Sequence, residues 1–80
     1  MHTPEKTYLQ TVEEVFEDAN GRREVGRCAY VVPASNRSRL IRKYGQPDID
    51  GAVYDRRHYP ARDGMPAFVA ESRITWTPTS

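Results

Sequence analysis

Cysteine, histidine and clustered glycine are scarce in this 80-residue chain, and each shortage removes a class of chemistry. Cys28 stands alone, so no intrachain disulfide can form, and a reducing, cytoplasmic setting is expected. With only His2 and His58 beside that cysteine, the roughly four nitrogen or sulfur ligands of a structural zinc site are missing. Asp48-Ile49-Asp50-Gly51 resembles the start of a calcium loop, but the later oxygen ligands are absent, and the segment reads as a turn. The five glycines are dispersed and form neither G-x-G-x-x-G nor a Walker pattern, so no nucleotide cradle and no cofactor are expected. Apolar runs are also short: none approaches the ~20 residues that span a bilayer, and the first ten residues contain no signal-like apolar stretch. Ser35, Ser38, Ser72, Ser80 and Cys28 would each need a positioned base to act as nucleophiles, and His58 is the only internal histidine.

What remains is enough for one small domain spanning 1–80, with residues 1–5 and 77–80 expected to fray. Hydrophobic residues at 38% and charged residues at 29% fit a globular chain with a thin core rather than a disordered one. A chain of this length buries only about 60–65% of its unfolded surface, so both a monomer and a homodimer are compatible with it.

Charge is strongly partitioned beneath a net value of +1. Residues 1–20 carry Glu5, Glu13, Glu14, Glu17 and Asp18 against Lys6, whereas residues 21–43 carry Arg22, Arg23, Arg27, Arg37, Arg39, Arg42 and Lys43 against Glu24. The remainder is close to balanced.

Local patterns predict an α+β fold. Phe68, Ala70, Ser72, Ile74 and Trp76 alternate with Val69, Glu71, Arg73 and Thr75, which predicts a half-buried strand within 65–76. Ala52 to Tyr59 reads as its hairpin partner across the turn Pro60-Ala61-Arg62-Asp63-Gly64. Leu40, Ile41 and Tyr44 share a helical face between Ser35 and Tyr44, with Ser35 or Asn36 as the cap, Gly45 and Pro47 as the stop, and Arg39, Arg42 and Lys43 towards solvent. Val25 to Val32 reads as a strand. The first twenty residues fit two descriptions. Tyr8, Val12, Val15, Phe16 and Ala19 make a helical stripe, but Tyr8, Val12 and Phe16 also share a strand face, and Asp18-Ala19-Asn20-Gly21 is a hairpin turn that tips the reading to strand. The expected architecture is ββαββ, a small antiparallel sheet with one short covering helix; the alternative is αβαββ.

Three functional readings follow. The segment Tyr54-Asp55-Arg56-Arg57-His58-Tyr59 is chemically dense, and Arg56, Arg57, His58 and Tyr59 could in principle support metal-independent RNA cleavage, although only one of them titrates near neutrality. An arginine-rich helix with Arg37, Arg39, Arg42 and Lys43, backed by Arg22, Arg23 and Arg27, could contact nucleic-acid phosphates, but the pI of 7.9 is below the range of dedicated binders. A protein or nucleoprotein partner accounts most economically for the charge mosaic, since arginine and tyrosine favour interfaces and opposed potentials fix register. Arg22, Arg23, Arg37, Arg39, Arg42, Lys43, Arg56, Arg57 and Tyr59 are then the candidate partner-binding residues, and Glu13, Glu14, Glu17 and Asp18 form an alternative acidic face. No catalytic residues, metal ligands or membrane contact are assigned.

In size and character the chain resembles the compact inhibitors carried by phages and mobile elements, of which anti-CRISPR proteins are the best-known group. That resemblance implies a non-catalytic protein that blocks a host nucleoprotein complex stoichiometrically, either by laying Arg37 to Lys43 on an acidic surface or by filling a cationic groove with Glu13, Glu14, Glu17 and Asp18.

Overall fold

The turn at Asp18-Ala19-Asn20-Gly21 organises the first third of the molecule. The structure is a computed structural model and describes residues 4–79. Thr7–Asp18 form strand β1 and Gly21–Pro33 form strand β2, paired antiparallel from Thr7 opposite Pro33 to Asp18 opposite Gly21. Gly21 sits at φ +120°, a conformation that side-chain-bearing residues rarely adopt, and this closes a two-residue connection. Residues 7–18 are therefore strand rather than helix. Their i, i+4 apolar spacing fits both periods, but pairing on both edges of β1 satisfies its backbone in the extended form. A register shift after Glu14 leaves Val25 as the extra residue of a β-bulge, which increases the local twist.

Ala34–Tyr44 form helix α1, Val53–Tyr59 strand β3 and Phe68–Pro78 strand β4. The fold is α+β and mostly strand: one helix and one four-stranded antiparallel sheet in the order β2-β1-β4-β3.

The start of α1 differs from expectation. Its N-cap is Pro33, which makes no side-chain cap. The Ser35 amide instead donates to the Glu5 carboxylate at 2.6 Å, and the Ala34 amide to the Lys6 carbonyl at 2.7 Å. A carboxylate borrowed from the chain ahead of β1 thus satisfies an orphan amide and complements the helix dipole. Asn36 is turned inward, where its amide donates to Gln10. At the other end Gly45, at φ +107°, donates its amide to the Ile41 carbonyl at 2.8 Å and ends the helix.

Some of the residues in the terminal segments 1–5 and 77–80 make defined contacts where the structure describes them. Glu5 is held by α1, Thr77 and Pro78 pair with Leu9 and Tyr8, and the Thr79 amide donates to the Thr7 carbonyl. Residues 1–3, including His2, and residue 80 lie outside the described residues. The β3–β4 hairpin also opens earlier than the sequence suggests. Pairing stops at Tyr59 opposite Phe68, because Pro60 and Pro66 lack the amides to continue a ladder. Beyond them Arg62 and Met65 exchange hydrogen bonds around Asp63 and Gly64, both at positive φ, so Met65 belongs to the turn and not to β4.

Helix α1 covers only one end of the sheet. There Val32, Ala52, Val53 and Ile74 are the buried hydrophobic residues among those described. The molecule measures 59 × 24 × 20 Å with a radius of gyration of 15.6 Å, against about 12 Å for a compact chain of this length. The far end is held by a stack across all four strands: the Arg23 guanidinium lies 4.8 Å from the Phe16 ring, Phe16 4.9 Å from Phe68, and Phe68 4.7 Å from Tyr59. With so few buried apolar side chains each is felt. Ile74→Val is expected to lower the unfolding free energy by about 1 kcal/mol in a urea titration. Among the described residues no helix is long and apolar enough to cross a membrane.

Candidate interaction surface

Strand alternation sorts the charged residues of the sheet onto two faces. On the face away from α1, Arg22 and Arg56 both bind the Glu71 carboxylate, Arg56 at 3.2 Å, and Arg56 also reaches Glu17 at 3.3 Å. On the same face Arg73 pairs with Glu13 at 3.2 Å, and Arg27 with Glu24 at 3.0 Å and Glu13 at 3.6 Å. On the face that carries α1, Arg57 pairs with Glu14 at 3.5 Å and donates to the Ser72 hydroxyl at 3.2 Å, while Arg23 pairs with Asp18 at 3.4 Å. All six sheet arginines therefore have carboxylate partners within the chain.

Glu71 is the centre of the open-face network and is 6% exposed. Burial pushes its carboxyl up, but hydrogen bonds and charges from Arg22 and Arg56 outweigh this and hold it below the ordinary carboxylate range. The same contact raises the Arg22 guanidinium. The Asn20 amide, with help from Arg23, lowers Asp18.

The sequence candidates distribute unevenly. Glu13 and Glu17 lie on one face of β1 and Glu14 and Asp18 on the other, each next to an arginine, so they do not assemble into one acidic face. Alternation also splits the Arg56-Arg57-His58-Tyr59 segment: Arg56 and His58 share the open face, whereas Arg57 and Tyr59 lie on the other. Arg56 and Arg57 are held by carboxylates and Tyr59 is stacked on Phe68. His58 is exposed at the rim of a shallow depression beside Glu17, Val69 and Phe68. Asp48 is a turn residue whose carboxylate accepts from the Asp50 and Ala52 amides, and the described residues contain no cluster of three groups placed to hold a metal ion.

Helix α1 is electrostatically different. It contains no acid, and Arg37, Arg39, Arg42 and Lys43 have no carboxylate at ion-pair distance among the described residues. Arg37 covers the Tyr8 and Trp76 rings at 5.4 and 5.5 Å, Lys43 lies over Tyr44, and Arg39 donates to the Asn36 side chain at 2.6 Å. Arg39 and Arg42 are exposed and, with Val32, Pro33, Ser35 and Asn36, line a concave groove between the helix and the end of β2.

Beneath α1 lies a polar hub that the sequence reading did not anticipate. Buried Gln10 donates to the Tyr30 hydroxyl at 3.0 Å and accepts from Asn36 at 2.7 Å and from the Trp76 indole at 2.9 Å. No local signal marks it, since its partners lie 20 to 66 residues away. No protein-family model, curated protein or solved structure matches the chain.

Proposed function

We propose that the chain is a non-catalytic interaction protein that docks through α1 on an acidic surface of its partner. Within that class its size and charge mosaic fit a stoichiometric blocker of a nucleoprotein complex, of the anti-CRISPR kind, acting in the cytoplasm by occlusion. One observation carries the reading: the sheet arginines are neutralised by the chain's own carboxylates, while Arg37, Arg39, Arg42 and Lys43 keep their charge for something outside it. Direct contact with nucleic acid is the competing use of the same helix. It is less well supported because Tyr8, Trp76 and Tyr44 are already covered by cations of α1, which leaves half-exposed Tyr30 as a single uncovered ring on the helix side for a base to stack on. The acidic decoy and the His58 ribonuclease readings lose ground to the same geometry that splits their residues between faces.

Duplex and single-stranded nucleic acid titrated at rising salt, beside a partner recovered from the natural host by pull-down, test this reading. Partner binding is expected to weaken at least tenfold, about 1.4 kcal/mol, when Arg39, Arg42 and Lys43 all become Glu, with little retention of nucleic acid by the unaltered chain. Nucleic-acid binding that collapses between about 50 and 200 mM salt, and vanishes in the triple variant, would replace the protein surface with phosphates as the ligand.

A further inference from the structure

We propose that the second half of β2 is an acceptor edge for an extended, acidic partner strand, which pairs its backbone with Cys28–Val32 and turns carboxylates towards Arg39 and Arg42. The inference rests on α1 being the docking element and specifies the partner's shape.

A strand at the edge of a sheet carries an unpaired row of amides and carbonyls, and proteins usually guard such rows with charge, irregularity or short length. The β3 edge is seven residues long and carries Asp55, Arg56 and Arg57 in succession. The first half of β2 is guarded by Arg22, Arg23, Glu24, Arg27 and the bulge at Val25. From Cys28 to Val32 β2 has none of these devices: it is uncharged, follows a regular register and is paired on one side only. An added strand would complete its hydrogen bonding.

The side chains flanking this edge differ by face, and that difference defines the occupant. Tyr30 and Val32 lie on the helix side, where the groove with Arg39 and Arg42 begins. Val31 lies on the opposite side, 62% exposed and paired with Leu9, itself 40% exposed. A strand beside β2 would therefore present alternate residues to a cationic groove and to an uncharged patch, which selects acidic residues on one side and β-branched ones on the other. A second copy of β2 fits poorly. Its one acid, Glu24, is bound to Arg27 and lies beyond the bulge, so β2 paired with β2 brings no free carboxylate to the groove.

The test uses a fluorescent, end-capped octapeptide of alternating glutamate and valine, read by anisotropy and by hydrogen exchange at residues 29–32. Binding, slowed exchange there, and at least tenfold weakening in Arg39→Glu/Arg42→Glu are expected. Because alternate amides of a strand point to opposite edges, N-methylation of one alternate set in the peptide should abolish binding and methylation of the other should spare it. Binding that responds to the helix substitutions but equally to both methylation patterns overturns strand pairing and leaves α1 docking intact. Equal binding of a lysine–valine peptide, or no effect of the helix substitutions, overturns the charge reading itself. No binding of the glutamate–valine peptide overturns the acceptor edge. A peptide-free dimer whose exchange is already slow at 29–32 makes a second copy the occupant instead.

Discussion

Gln10→Leu is expected to lower the unfolding free energy by about 2–3 kcal/mol although leucine nearly matches glutamine in volume. The cost is polar. Gln10 is 3% exposed and joins three elements by hydrogen bonds to Tyr30 of β2, Asn36 of α1 and Trp76 of β4. Leucine leaves the Asn36 amide and the Trp76 indole without their acceptor; both are half-buried and water can reach them in part, so each costs towards the low end of the roughly 1–3 kcal/mol of a buried orphan. The Tyr30 hydroxyl adds little, since Tyr30 is half exposed and can turn to water. Chemical denaturation gives the magnitude, and Trp76, the only tryptophan, reports locally: its emission should shift to the red as water replaces the glutamine oxygen. A change below about 0.5 kcal/mol would mean that the hub is dispensable and that α1 is held by its apolar face alone.

That hub also shows where the sequence stops speaking. Features carried by neighbours in the chain were legible: the alternation of Phe68 to Trp76, the Asp18-Ala19-Asn20-Gly21 turn, and the helix ending at Gly45. The cationic side of α1 was legible for the same reason, because a helix places Arg39, Arg42 and Lys43 by local geometry and no acid occurs within it. Features that depend on strand order were not. Glu71 reads as a solvent-side residue of an alternating strand, yet it is buried because Arg22, 49 residues away, and Arg56 close over it. The acidic and basic segments that look like two opposed surfaces interleave instead, since β1 lies between β2 and β4 and its carboxylates meet arginines from its neighbours. Arg56-Arg57-His58-Tyr59 looked like a concentration of chemistry only while its alternation was ignored. The cap supplied by Glu5 was invisible because Ser35 and Asn36 offered a local solution that the fold does not use.

Removing both of Glu71's partners is the second large effect, and it carries a pH signature that a simple packing defect would lack. Arg22→Ala/Arg56→Ala is expected to cost about 2–3 kcal/mol at neutral pH. Stranding a buried charge costs about 3–5 kcal/mol, and the cost here is discounted because the two arginines are themselves partly exposed and water can follow them in. In the unaltered chain the folded carboxyl lies below its unfolded value of about 4.5, so its stabilisation is complete above that pH and is lost as pH falls through the lower folded value. Asp18 and Asp48, also lowered, contribute to the same acid limb. In the variant burial acts on Glu71 unopposed and pushes the carboxyl up, so the folded state prefers the proton. The difference between the two proteins should therefore be greatest above the variant's raised folded value and shrink as pH falls from there to the lowered folded value of the unaltered chain. Adding Glu71→Gln to the double variant should recover most of the loss at pH 7 and nothing at low pH, because both steps act on the charge and not on the fit. A difference that stays constant with pH would place the arginines' contribution in packing their stems across the sheet.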